Sequence, residues 1–324
     1  MNSDWCQFDM LVHSDWSVHS KKRWSAIAEK IEDKWQITEI KHINKIQDCL
    51  LKNASQNGKS ILAGFDFPIG IPNFWYELAG INDFIGFLDD VSSEKDDSLK
   101  FQHFFEVADN ISDVSYARPF YPNSATKKGE KKKQDLLDRF KLCNADNLLR
   151  ECERAVPNRL AASPLFWTIG AKQVGKAALS GWKEVIIPLY VEGALLWPFQ
   201  DIKPKEASFN LILVETYPAE YYNFIEEDLM KRRSKRRQAD RKDVGQKILT
   251  WLKQRKIKIE DKAKQQICDG FGATSDGEDR FDAIVGLCAM LEVVLGNKQA
   301  IPNEKLSACN ARNLKKEGWI FGMA

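Results

Sequence analysis

The amino-acid sequence predicts an α/β fold: a mixed sheet, three antiparallel strands followed by parallel ones, flanked by helices. Three observations lead to it. Three segments near the amino terminus carry strand-like patterns and are joined by short polar links. A helical stretch and a fourth apolar run follow directly, giving the order strand, strand, strand, helix, strand. Further strand-like runs return late in the chain, ahead of a closing set of helices.

In chain order, residues 8–13 place Phe8, Met10 and Val12 on one strand face. Residues 24–28 and 35–40 alternate with a period of two, and Trp35 and Ile37 share a face. Residues 43–57 carry Ile43, Ile46, Leu50 and Ala54 at helical spacing, with Gly58 as a stop. Residues 60–65 form the fourth strand, ended by Asp66 and the stretch from Pro68 to Pro72. Beyond it, residues 73–160 read as a mostly helical, charged insertion within a single domain spanning 1–324, with an acidic stretch at 89–97 and a lysine cluster at 127–133. Strand-like runs are expected at 184–190, 194–198 and 209–217. A helix at 219–230, a basic stretch at 231–242, and helices at 244–255 and 261–268 come next. Gly270 and Gly272 mark a break before a last long helix at 279–295.

At 324 residues and 44% hydrophobic, the chain needs no disulfide or metal staple to fold. Its formal net charge of +2 excludes a simple polycation coating nucleic acid, although local patches can still meet phosphates. Seven scattered cysteines lack the C-x-x-C spacing of a structural zinc or thioredoxin-like site and fit a reducing compartment. The first ten residues contain Asp4 and Asp9 and no long apolar run, unlike a secretory signal. The most apolar segment, 283–296, is interrupted by Glu292 and too short to span a bilayer. The expectation is a cytoplasmic protein without a membrane partner.

Acidic residues carry the candidate chemistry. Asp15 and Asp66 follow the first and fourth strands, and sites in open α/β sheets form beyond the carboxyl ends of strands. If those strands are parallel neighbours, both aspartates emerge at one edge; each alone also reads as an ordinary turn former. Asp279 and Asp282 stand at i and i+3 at the start of a helix that is apolar nearly all round, which turns them toward the interior. Capping and the helix dipole favour acids there as well. Glu215 ends an apolar strand, so it either faces solvent or has a partner.

Carboxylates converging on one point repel one another unless cations neutralise them, and oxygen-only ligands favour Mg2+ or Mn2+ over zinc. Two such ions about 3.5–4 Å apart activate water and stabilise a leaving phosphodiester oxygen. The run Lys231, Arg232, Arg233, Lys235, Arg236 and Arg237 is the most basic part of the chain; it reads as a contact for nucleic-acid phosphates or as a solvated linker. Gly58-Lys59-Ser60 imitates the end of a P-loop, but Asn53 replaces the first glycine and the segment precedes a strand instead of following one.

The strand order, Asp15, Gly-Phe-Asp66-Phe-Pro-Ile-Gly-Ile-Pro, Glu215-Thr-Tyr-Pro and Asp279-Arg-Phe-Asp282-Ala resemble the predicted ribonuclease H-like nucleases, a prokaryotic family defined as a domain of unknown function. The stretch from Gly170 to Gly175, Gly181-Trp182 and the closing Glu317-Gly-Trp-Ile-Phe-Gly322 add to the likeness, which covers most of the chain. The Asp-x-x-Asp-Ala pattern also resembles the last acidic pair of Holliday-junction resolvases. The resemblance implies a ribonuclease H-like sheet and metal ligation by Asp15, Asp66 and Asp282, with Glu215 and Asp279 as additions. The expectation is a metal-dependent nuclease acting on DNA or RNA. The rivals are a non-catalytic nucleic-acid-binding or scaffold protein of the same fold, and a metal-dependent hydrolase or transferase of a small phosphorylated molecule.

Overall fold

The computed structural model describes residues 5, 7–93, 100–124, 129–157, 159–170, 174–202, 211–306 and 308–323. Seven described strands form one sheet: β1 (Met10–Asp15), β2 (Trp24–Ile31), β3 (Lys34–His42), β4 (Ile61–Phe65), β5 (Leu195–Leu196), β6 (Leu211–Glu215) and β7 (Lys258–Ile259). Their order across the sheet is β5-β6-β4-β1-β2-β3-β7. The short links between β1, β2 and β3 let consecutive strands pair antiparallel. β4 lies parallel to β1, β6 to β4 and β5 to β6, while β7 adds a parallel edge beside β3. The mixed α/β sheet is therefore present as expected. Phe209, where the last long strand was expected to begin, lies outside the described residues, as do parts of the acidic stretch, the lysine cluster and the Gly170–Gly175 segment.

Alternation along the strands divides the interior into two cores. Met10, Val12, Ala63, Phe65 and Leu213 face one layer, and Leu11, Ala26, Leu62, Ile212 and Val214 face the other. Trp35 and Ile37 share the second face as expected. Phe8 packs there too, apart from Met10 and Val12, because β1 begins only at Met10 and alternation does not extend before it.

The first layer contains α1 (Ile46–Leu51), continued by a π-helical turn to Gln56, then α2 (Asn73–Ala79), α3 (Phe84–Ser92), α4 (Lys133–Phe140), α5 (Val174–Gly181) and α6 (Ile187–Val191). Gly58 stops the first of these at φ +62°, a left-handed angle that suits glycine. The stretch 73–160 is less helical than expected, with short 3₁₀ turns between its helices. It is also not an appendage. Trp75, Phe87 and Phe104 pack with Trp182 in an aromatic cluster continuous with the sheet core, the Phe87 and Phe104 ring centroids 4.6 Å apart.

The strand expected at 184–190 is instead helical, a π-turn over Trp182–Ile186 running into α6. Consecutive β-branched residues gave the strand-like reading. The buried set Trp182, Val185, Ile186 and Leu189 has helical spacing, and packing against the aromatic cluster overrides propensity.

The second face carries α7 (Tyr222–Ile225), α8 (Gln238–Gln254), α9 (Asp261–Cys268) and α10 (Gly277–Val294). The helix expected at 219–230 shrinks to a 3₁₀ turn and α7, because Glu226 turns extended at φ −157° and ψ 139°, and Asp228 follows at a left-handed +56°. A closing helix, α11 (Ala308–Glu317), returns to the first layer, where the Glu317 carboxylate accepts from the Asn73 N–H at 2.8 Å. Among the described residues no helix is long and apolar enough to cross a membrane.

α10 is buried along nearly its whole length against β1 and β2. It approaches the sheet through two glycines. A Cβ on Gly286 would fall 2.1 Å from His13 Nε2, and one on Gly64 would fall 2.7 Å from Met290 Sδ. Burial lowers the His13 imidazole to about 3, so the ring is neutral, and its Nε2 shares a hydrogen bond of 2.9 Å with Thr216 Oγ1. This contact sets where α10 stands along β1. Gly286→Ala should lower stability by about 2 kcal/mol in urea unfolding, the overpacking outweighing the helical preference of alanine. In His13→Ala the same change should cost little; equal losses in both backgrounds would mean the two residues do not meet.

Candidate functional site

Two periodicities assemble the site. Asp15 stands two residues beyond His13 on β1, hence on the same sheet face, and Asp282 stands one helical turn before Gly286 on α10. Seating Gly286 on His13 therefore brings Asp282 to the Asp15 end of β1. The parallel register of β1 and β4 runs from Met10 opposite Ile61 to Ser14 opposite Phe65, so Asp15 and Asp66 leave the sheet side by side. Asp279, three residues before Asp282, completes the group.

The four carboxyls act on one another. Asp15 is only 9% exposed and Asp282 only 7%. Burial raises Asp15 well above the ordinary carboxylate range, and the charges of Asp66 and Asp282 push it further. Asp66 is raised to about 6, again mainly by burial, against the pull of a hydrogen bond from Asp15 and of the Trp16 N–H, which donates to Asp66 Oδ1 at 2.6 Å. Burial raises Asp279 to about 6, with Lys22 opposing and Asp282 assisting. Asp282 is raised by burial and restrained by Lys235. Asp279 Oδ2 and Asp282 Oδ1 are buried without a hydrogen-bond partner. Among the described residues, no three His, Cys, Asp or Glu side chains are drawn into a closed ligand sphere.

The surrounding elements hold this group in place. Arg23 lies with its guanidinium 3.9 Å over the Trp16 ring and pairs with Glu184, and Trp16 Nε1 donates to Ser180 Oγ at 3.1 Å. These contacts tie the loop after Asp15 to α5 and the turn that follows it. On the opposite side, Lys235 Nζ pairs with Asp282 Oδ2, and the Tyr222 hydroxyl also contacts that carboxylate. The backbone at Lys235 is fixed by Arg241, 2% exposed, which donates to the carbonyls of Lys235, Gly270 and Gly272.

The structure does not bring Glu215 into the group. It opens onto the same cavity of about 50 Å³ as Asp66, but its oxygens accept from Arg150 Nη1 and Nη2, both at 2.6 Å, and from the Ile69 N–H at 2.7 Å. Arg150 is 1% exposed, also binds Glu153, and donates to the carbonyls of Ile69 and Glu317. The physical reason is charge balance: a buried acid in an apolar strand takes the nearest cation, and here that is a structural arginine. No local pattern around Arg150 announces this pairing 65 residues away.

Most of the basic run forms ion pairs with this chain's own acids, although Lys231 and Arg237 stay exposed. Lys231 pairs with Asp228, Arg233 with Asp243 and Arg237 with Asp240, while Lys235 enters the acidic group. Arg232 and Arg236 are exposed and make no ion pair among the described residues. Other neighbours that the sequence reading missed, Trp16 N–H, Arg23, Tyr222 and Arg241, are unremarkable locally. The one available signal was Gly286, a gap in an otherwise apolar helix one turn beyond Asp282.

Two outcomes follow for stability. Glu215→Gln should destabilise the fold by about 3 kcal/mol, because it leaves Arg150 buried with less countercharge; calorimetry checks this. For the aspartates the sign is opposite. A folded acid with a raised pKa holds a proton that the unfolded chain has released, so its contribution is lost as pH rises through the raised value. Asp66 and Asp279 lose theirs between about pH 4 and about 6, and Asp15 over a span that reaches higher. Without divalent cations, Asp15→Asn should melt roughly 4 °C above the parent at about pH 8, with the gap narrowing as pH falls and closing near the ordinary carboxylate value of about 4. His13 loses stability in the other direction, as pH falls below about 6.5, but it is common to both proteins. A pH-independent gap would show that Asp15 is not ionised against its neighbours.

Comparison with protein-family models, with curated proteins and with solved structures returns no match for this chain.

Proposed function

We propose that the chain is a metal-dependent nuclease of the ribonuclease H-like fold, hydrolysing phosphodiester bonds of nucleic acid. The observation that carries this reading is the acidic group itself. Four carboxyls stand at one sheet edge, two of their oxygens are buried without a partner, and Lys235 is the lysine that pairs with the group. Orphaned carboxylate oxygens fit a hard divalent cation, Mg2+ or Mn2+, better than any neutral ligand. The order β3-β2-β1-β4-β6, with three antiparallel strands and then two parallel ones, supports the fold assignment.

In this reading Asp15, Asp66 and Asp282 hold the cation or cations, and Asp279 supports them through water or directly. Such ions supply an activated water and stabilise the leaving oxygen of a phosphodiester. The protein's own groups prepare the ground. The Trp16 N–H orients Asp66, Tyr222 orients Asp282, and the Asp15–Asp66 hydrogen bond holds one proton within the group until a cation replaces it. His13 is neutral and enclosed, so it serves packing and not proton transfer. Arg232 and Arg236, exposed on the segment that carries Lys235, meet the substrate backbone.

The Lys235–Asp282 pair favours one alternative: a nucleic-acid-binding protein of the same fold in which lysine has permanently replaced the cation. Manganese binding followed by electron paramagnetic resonance separates the two. The nuclease reading expects Mn2+ binding by the parent protein that is lost in both Asp15→Asn and Asp282→Asn, together with at least about a thousandfold loss of cleavage of a DNA or RNA panel. Feeble binding, equal in all three proteins, would sink it. Nucleic-acid affinity indifferent to the aspartates but falling steeply with salt would establish the alternative.

A further inference from the structure

We propose that the Lys235 ammonium is a resident counter-ion of the acidic group, exchanged at the Asp282 carboxylate for a divalent cation; this rests on the metal-centre reading above.

The segment carrying Lys235 is built to deliver it. Arg241 is buried, makes no ion pair among the described residues, and spends its guanidinium on the carbonyls of Lys235, Gly270 and Gly272. A Cβ on Gly277, at the start of α10, would fall 2.4 Å from Arg241 Nη2, so the helix start leaves room for this clamp. The Ser234 N–H is held by Asp240 Oδ2 at 2.6 Å. Burying an arginine to fix one backbone turn makes sense if the side chain presented there has a task.

Lys235 also differs from its neighbours in the run. Lys231, Arg233 and Arg237 pair with acids three to ten residues away, on the same stretch of chain. Lys235 reaches an aspartate 47 residues away, on α10. The two ends of the pair have unlike surroundings: the lysine side chain is 38% exposed, the aspartate side chain 10%. The ammonium takes Asp282 Oδ2 and leaves Oδ1, which is buried, without a partner. The ammonium brings one charge to half of a buried carboxylate, so a divalent cation at the same place gains more Coulomb energy. A lysine also has the flexible stem and compact charge to leave, which a bidentate arginine lacks. The pair thus lets the metal-free protein fold without a bare charge at Asp282, and it reserves that carboxylate for a stronger cation.

The test is a Mn2+ titration, read by electron paramagnetic resonance, of the full chain without nucleic acid in wild type, Lys235→Met and Lys235→Arg. Removing the competitor should tighten Mn2+ binding on the order of tenfold in Lys235→Met, and Lys235→Arg should bind no tighter than wild type. Affinity in Lys235→Met equal to or weaker than wild type overturns the inference and leaves the metal centre standing. No Mn2+ binding in either protein overturns both. A second measurement needs no variant: lysine acylation mapped by mass spectrometry. Saturating Mn2+ should raise labelling of Lys235 severalfold while Lys231 stays constant, and unchanged labelling of Lys235 overturns the exchange even if Lys235→Met fails to fold.

Discussion

The contact between Gly286 and the His13 ring is the constraint on which the rest of the structure depends. An α-helix that is apolar nearly all round has no preferred face, and its rotation and position on a sheet are settled by where it can come closest. Glycine at 286 gives that point on the helix, and a neutral, enclosed imidazole gives it on β1. Once these are seated, helical and strand periodicity leave no freedom for Asp282 and Asp15. They meet at the edge where β4 also delivers Asp66. The acidic group is thus a product of core packing.

Two buried charge clusters flank β4, and they differ in kind. Around Arg150 the charges are closed: two glutamates and two backbone carbonyls surround one guanidinium, and Glu215 gains a backbone N–H as well. Such a cluster ties β6 to the insertion and to the carboxyl-terminal segment, and every polar atom it buries is answered. Around Asp15 the charges are open: four acids, raised pKa values, orphaned oxygens and one half-exposed lysine. The fold satisfies one cluster fully and leaves its neighbour under-compensated, and on that contrast the proposed metal centre rests.

Much of the fold was legible because its causes are local. Alternation in β1 to β4, helical spacing in α8 to α10 and the left-handed stop at Gly58 each follow from a few adjacent residues. The misreadings occurred where distant packing decided. Val185-Ile-Ile-Pro-Leu189 has strand-forming residues, yet the aromatic cluster needs a helix there. Residues 219–230 look helical, yet Glu226 turns extended and ends the helix early. The four aspartates could be nominated from their places at strand and helix ends. Glu215 could be nominated on the same grounds, and nothing in its own segment marks its attachment to Arg150.

By itself the sequence determined which residues are acidic, where the first four strands fall and in what order they come, since backbone propensity and side-chain periodicity act over a few residues. Only the tertiary structure decided which acids share a site, which acid is neutralised by arginine, and that a lysine from the basic run turns inward to Asp282. Those outcomes depend on desolvation and on Coulomb interactions across tens to hundreds of residues of chain. Such interactions take their value from distance and burial in space, and the chain has neither until α10 settles on β1.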